Sequence, residues 1–149
     1  HPVTLVDRQT EALLDLEPNP RATVIQVDLE DGSPWPLNEK FAGVVVVNYL
    51  HRPLTENLLE SLEPGGLLIY ETFARGNENF SRPRNPDHLL KSGELLQVVL
   101  GRLQIIAYEH GIREKSPLKG VIQRICAVNN LDQSVREDRE PQVLNLEPN

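Results

Sequence analysis

The sequence predicts an α/β sandwich whose sheet is mostly parallel and turns antiparallel at its last strand. Three observations carry this. Apolar, β-branched stretches alternate with helical ones in the order β-α-β-loop-β-α-β, which argues for right-handed crossovers. The run Val44–Val47 does not alternate, as in a strand with both faces covered. The last two strand-like stretches are joined by a link too short for a crossover, so they pair as an antiparallel hairpin. At 149 residues the chain has the length of one domain with a single sizeable core.

Val3–Val6 opens the pattern as a strand, and Asp7 caps a helix over Arg8–Leu16 that shows Ala12, Leu13 and Leu16 on one face before Pro18 ends it. Ala22–Val27 and Gly43–Asn48 are the next strands, bounded by turn formers. Pro53 opens a helix over Leu54–Leu62, with Leu54, Leu58, Leu59 and Leu62 as its stripe and Pro64-Gly65-Gly66 as its stop. Gly66–Thr72 is a fourth strand. Ala74–Pro86 is a polar, proline-bearing loop, and loops of that length are functional or disordered. Pro86-Asp87 starts a helix through Leu100 on Leu89, Leu90, Leu95, Leu96 and Val99, with Gly93 as its weak point. Leu103–Glu109 and Gly120–Val128 form the closing hairpin across Gly111–Lys119. Asn129–Asn149, rich in charge and amides, is expected to be an acidic mobile tail, which leaves residues 1–128 as the folded domain.

Charge and composition remove several functions. Fifteen Lys and Arg against 22 Asp and Glu give a net charge of −7, and no basic cluster offsets it, so nucleic acid is not the expected partner. A single cysteine, Cys126, forms no internal disulfide, and a reducing cytoplasm is the expected compartment. The apolar run at Gly43–Val47 is far too short to span a bilayer, and no leader peptide is expected. The chain opens on His1 and has no methionine, so it is expected to start after the beginning of its gene. There is no G-x-x-x-x-G-K-[ST] loop, no G-x-G-x-x-G fingerprint and no G-x-S-x-G elbow, which sets aside P-loop enzymes, dinucleotide oxidoreductases and α/β-hydrolases.

Open parallel sheets take ligands beyond the carboxyl ends of their strands. Asp7, Asp28, Asn48 and Glu71-Thr72 stand at four successive ends. A carboxylate there can accept both hydroxyls of a ribose. A carboxylate followed by an apolar residue, as in Asp28-Leu29, can accept an exocyclic amine while its neighbour packs on the base. Each can equally be a helix cap or turn former. His51, in Asn48-Tyr49-Leu50-His51-Arg52, is either a general base or a helix-start histidine. Tyr70 and Glu71 either face a substrate or satisfy neighbouring strands. Arg75, Arg82 and Arg84, with Asn85 beside them, either read an anionic substrate or offset an acidic surface. His51, His88 and Glu71 lack metal-ligand spacing, so no metal is expected. Cys126 is expected in the core, and Trp35 over the sheet end.

Val3–Asp7, Val27-Asp28-Leu29, Val44–Asn48 and Leu62-Glu63-Pro64-Gly65-Gly66-Leu67-Leu68 resemble the second to fifth strand segments of class I S-adenosylmethionine-dependent methyltransferases. Tyr70-Glu71-Thr72-Phe73, Gly76-Asn77-Glu78, Arg82-Pro83-x-Asn85-Pro86 and Gly93-Glu94-Leu95-Leu96 resemble, more closely, small bacterial methyltransferases of the tellurite-resistance-like group. The resemblance covers roughly residues 3 to 128. It implies a Rossmann-like methyltransferase sandwich and S-adenosylmethionine as cofactor, with Asp7 at the ribose, Asp28 and Leu29 at the adenine and Asn48 near the cofactor. It places His51, Tyr70 and Glu71 near the reacting groups, and Arg75, Arg82 and Asn85 in a loop facing a small-molecule acceptor. The family's glycine-rich loop has no counterpart here, since no G-x-G occurs. The expectation is therefore an N-terminally truncated domain without its first strand, loop and first helix. Such a chain is either a truncated methyltransferase, whose full-length parent transfers a methyl group from S-adenosylmethionine to a small-molecule acceptor, or a non-catalytic partner subunit. Alone it is expected to associate with itself or to be marginally stable.

Overall fold

The computed structural model describes residues 1–11, 13, 19–114, 119–131, 138 and 140–146, in two units, His1–Asn38 and Glu39–Asn149. In the first unit the β-branched stretches pair in parallel: β1 (Val3–Asp7) lies beside β2 (Ala22–Gln26), with Val3 opposite Ala22 and Asp7 opposite Gln26. The helix expected over Arg8–Leu16 falls partly outside the described residues.

The second unit is a four-stranded sheet in the order β3-β4-β6-β5, formed by β3 (Phe41–Val47), β4 (Leu62–Phe73), β5 (Gln104–Arg113) and β6 (Gly120–Val128). β3 and β4 are parallel, while β6 runs antiparallel to both β4 and β5. The mostly parallel start and reversed end expected from the sequence are both present, although the described strands form two sheets rather than one. Two short helices, α1 (Thr55–Glu60) and α2 (Glu94–Val99), belong to this unit.

Its core holds Leu59 of α1, Leu95 and Val99 of α2, and Val46, Leu68 and Ile125 of the strands. Alternation along the strands turns the neighbouring residues to the other face. There Val45, Val47 and Ile69 are 66%, 56% and 42% exposed, so the double coverage expected for Val44–Val47 is met on one face only among the described residues.

Two helices are shorter than expected, for local reasons. Leu62 leaves the leucine stripe to pair with Phe41 in the sheet, and Ser61 ends the helix by bonding back to the Asn57 carbonyl. The Pro64-Gly65-Gly66 turn is then a bulge inside β4, because Gly43 pairs with Leu67. Between Pro86 and Leu100, only a 3₁₀ turn at Pro86–His88 and α2 are helical. Leu89 is extended and Leu90 bridges Ala74, so Gly93, at φ 72°, starts a new helix instead of sitting inside one.

Buried amides organise this region. Gln123 is fully buried: its Oε1 accepts from the Leu95 amide at 3.2 Å and the Tyr108 hydroxyl at 3.1 Å, while Nε2 donates to the Lys91 carbonyl at 2.6 Å. Asn77, also fully buried, donates to the Pro83 carbonyl at 3.0 Å and the Ser81 carbonyl at 3.3 Å. Its Oδ1 occupies the space a Cβ on Gly120 would need. Gly120→Ala is therefore expected to destabilise the unit by about 1–3 kcal/mol in urea unfolding. A change within about 0.5 kcal/mol, the range of an ordinary surface substitution, would show that Asn77 is not held in place.

Within Asn129–Asn149, Asn129 is tied to the β4 bulge through the Gly65 amide and the Gly66 carbonyl, and residues 140–146 run beside Gln104 and Ile105. Gln104 donates to the Gln142 carbonyl at 3.1 Å.

Candidate functional site

In the first unit the carboxyl ends of β1 and β2 carry the two aspartates. Asp7 Oδ1 accepts from the Gln9 amide at 2.8 Å, and Asp28 Oδ1 accepts from the Glu30 amide at 2.9 Å. Both are thus turn formers, as the plainer alternative holds. Both side chains are exposed. Leu29, half-buried, follows Asp28 directly.

The second unit places Asn48 at the carboxyl end of β3. Its amide donates to the Glu71 carbonyl at 2.9 Å, and its φ of 54° puts it in the left-handed region, which asparagine tolerates better than most residues. The chain turns there into Tyr49, Leu50 and His51. Tyr70 is buried, and its hydroxyl donates to the Tyr49 carbonyl at 3.0 Å, fixing that corner. Burial pushes the Tyr70 hydroxyl well above the usual phenol range, so it stays protonated. His51, half-buried, precedes a 3₁₀ turn at Arg52–Leu54 and accepts the Leu54 amide through its carbonyl.

Glu71 lies on the opposite face from Tyr70, so the structure separates these two side chains. Its carboxylate pairs with Arg113 and, at 3.1 Å, with Arg124, which also meets Glu109 at 3.2 Å. Glu71, Arg124 and Glu109 are cross-strand neighbours on β4, β6 and β5. The signal for this row is a charged residue at matching positions of three strands, visible only once the register is known.

The loop after β4 is docked rather than loose. The Ala74 amide donates to the Val121 carbonyl, and the Arg75 amide to the Leu90 carbonyl, both at 2.9 Å. Arg75, Arg82 and Asn85 are exposed along it; Asn85 Oδ1 caps the Asp87 amide at 3.0 Å, and the Arg82–Pro83 bond is cis. Sequence reasoning gave Arg52 no role of its own, yet its side chain holds Glu94, whose carboxylate also takes the Lys91 amide at 2.7 Å. Burial raises the Glu94 pKa, but the Arg52 and Lys91 bonds outweigh it and hold the group below its ordinary 4.5. A carboxylate lowered on folding stabilises fully above its unfolded value and ceases to as pH falls through the folded one. The 87–94 segment is therefore expected to lose exchange protection below about pH 4.5, and Glu94→Gln to remove that dependence. A wild-type profile flat down to pH 3 would contradict this.

No protein-family model matches the chain, and no curated protein matches it in sequence. Solved structures do. TehB from Haemophilus influenzae aligns with a TM-score of 0.66 at 14% identity over 87% of this chain and 50% of its own. The N-methyltransferase NodS from Bradyrhizobium japonicum aligns at 0.61 and 16% identity over 87% of this chain and 74% of its own. The glycopeptide N-methyltransferase MtfA, solved with S-adenosylhomocysteine, aligns at 0.53 and 18% identity over 85% of this chain and 72% of its own. NodS has also been solved with S-adenosylhomocysteine. The fold is that of the S-adenosylmethionine-dependent methyltransferases. The chain spans half the length of TehB and about three quarters of NodS. No helix among the described residues is long and apolar enough to cross a membrane.

Proposed function

We propose that this chain belongs to a methyltransferase that moves a methyl group from S-adenosylmethionine to a small acceptor. The observation that carries the reading is the pair Asp7 and Asp28, two exposed carboxylates at the carboxyl ends of adjacent parallel strands, in a fold shared with NodS and MtfA. Bound, the cofactor supplies a sulfonium methyl open to in-line displacement, for which positioning is the main requirement. Asp7 accepts the ribose hydroxyls, Asp28 takes the adenine amine, and Leu29 packs on the base. The resemblance adds a cofactor contact for Asn48.

On the acceptor side, His51 is the candidate general base. Tyr70, kept neutral, holds the Tyr49 carbonyl and with it the corner that carries His51. Glu71 balances Arg113 and Arg124. Arg75 and Arg82 offer exposed cations to an acceptor bearing negative charge, and Asn85, which caps the Asp87 amide, shapes the end of the loop that follows them. The closer likeness to the tellurite-resistance-like group rests on the Tyr70–Phe73, Gly76–Glu78, Arg82–Pro86, Leu89-Leu90 and Gly93–Leu96 motifs.

The bare face at Val45, Val47 and Ile69, beside the edge strand β3, supports the truncated reading. On that reading, a first strand, glycine-rich loop and first helix would lie against this exposed surface. Left uncovered, it favours association with a second copy or a partner subunit, the non-catalytic alternative. The double variant Val45→Lys, Ile69→Lys is expected to shift the chain toward monomer in sedimentation equilibrium. An unchanged mass would contradict a role for this face.

The direct test of function is transfer of a labelled methyl group to a panel of thiols, amines, carboxylates and oxyanions, using the longest natural polypeptide that contains residues 1–149. Product is expected in at least one class. Asp7→Ala should weaken cofactor affinity by about tenfold or more, the loss of one charge-assisted hydrogen bond. Unchanged cofactor affinity in that variant would overturn the assignment.

A further inference from the structure

Arg52 has no part in the reactions considered so far, yet its whole head group is spent on one stretch of chain. Nε meets Glu94 Oε1 at 2.7 Å and Nη2 meets Oε2 at 3.1 Å. Nη1 donates to the Asp87 carbonyl at 2.6 Å, and Nη2 also reaches the Leu89 carbonyl at 3.1 Å. A planar fork of fixed donors can serve one carboxylate and two carbonyls together, which the point charge of a lysine cannot.

The position of this fork gives it a task. Arg52 directly follows the Asn48–His51 corner that leaves β3, while Asp87, Leu89 and Glu94 close the segment that leaves β4. Since β3 and β4 are parallel, both segments emerge at the same end of the sheet. The far side of the loop is fastened to β6, through the Ala74 amide on the Val121 carbonyl and Asn77 against Gly120. On the β3 side the fastening is Arg52. The candidate acceptor-facing residues Arg75, Arg82 and Asn85 lie between the two attachments.

We propose that Arg52 is a positioning residue: its forked contacts with Asp87, Leu89 and Glu94 hold the Ala74–Gly93 loop across the carboxyl ends of β3 and β4. It thereby sets where the loop's arginines stand relative to the Asn48–His51 corner. The inference deepens the acceptor-face reading and rests on it for its functional meaning. The docking itself needs no cofactor.

Amide hydrogen exchange on the 149-residue chain tests it without any assay of activity. In Arg52→Lys, which keeps the charge and loses the fork, the Arg75 and Leu90 amides are expected to exchange about tenfold faster or more, equivalent to about 1.4 kcal/mol of local opening. The Ile125 and Ala127 amides, in the core of β6, should be unchanged. Glu94→Gln, which keeps the side-chain shape, should give a smaller acceleration at the same two loop amides. Unchanged loop amides in Arg52→Lys would overturn the proposal. So would a uniform acceleration of loop and core, since that is the mark of a general stabilising contact. An absence of methyl transfer by the longest natural polypeptide, alongside the local effect, leaves the docking intact and counts against the methyltransferase reading alone.

Discussion

Replacing Gly66 by alanine is expected to destabilise the Glu39–Asn149 unit by about 3 kcal/mol or more, among the largest effects open to a single methyl group. Gly66 is buried where the Pro64-Gly65-Gly66 bulge rejoins β4. An added Cβ would lie 2.8 Å from the Glu63 carbonyl oxygen and 2.9 Å from that of Phe41. Both obstacles are backbone, so no side-chain rotation relieves them. The same residue's carbonyl accepts the Asn129 amide at 2.9 Å, so a shift at Gly66 also disturbs the exit from β6. Gly65 provides the control. It sits at φ +80° with open space around its missing side chain, so Gly65→Ala carries only the conformational penalty of about 1–2 kcal/mol. Urea unfolding of the two variants should separate them clearly. Equal midpoints would mean that the bulge opens readily and that the double glycine is a turn signal only.

The second large effect concerns the cofactor. The chain of residues 1–149 is expected to bind S-adenosylhomocysteine two to four powers of ten more weakly than a methyltransferase that has its glycine-rich loop. In the proposed site, Asp7, Asp28 and Leu29 would meet the adenosine half only. No G-x-G occurs to bring backbone amides against the amino-acid carboxylate. Charge-assisted hydrogen bonds of that kind contribute roughly 1.5–3 kcal/mol each, and losing two at about 1.4 kcal/mol per decade gives the stated range. The remaining preference should favour adenosine-like over methionine-like ligands. Micromolar affinity or better, measured by calorimetry without added protein, would mean that other groups replace the loop.

What the sequence disclosed follows from which physical signals are local. All six strands among the described residues were legible because β-branched runs and their bounding turn formers report directly on extended backbone. The antiparallel hairpin was legible because the short link from β5 to β6 excludes a crossover. Helix ends were not. Leu62 keeps the spacing of a helical leucine, and only its pairing with Phe41 assigns it to the sheet. Leu89 and Leu90 likewise fit a helical stripe, but the bridge between Leu90 and Ala74 draws them out of it. The aspartates of the candidate site could be singled out because strand ends in parallel sheets are privileged places, whatever the partners. Arg52, Asn77 and Gln123 could not: an arginine that bonds to carbonyls far along the chain, or an amide buried against a distant glycine, leaves no periodic trace. Their importance lies in contacts between segments, and those exist only in the fold.

The central claim is that the ends of β1 and β2 read the adenosine half of S-adenosylmethionine, and chemical-shift titration of the isotope-labelled chain tests it most directly. Adenosine and S-adenosylhomocysteine are expected to shift the amides of Asp7, Asp28 and Leu29 alike. Methionine should leave them in place, and Asp7→Ala should remove the response to both adenosine ligands. If S-adenosylhomocysteine shifts other amides and leaves these three unmoved at saturation, the cofactor site has been assigned to the wrong residues.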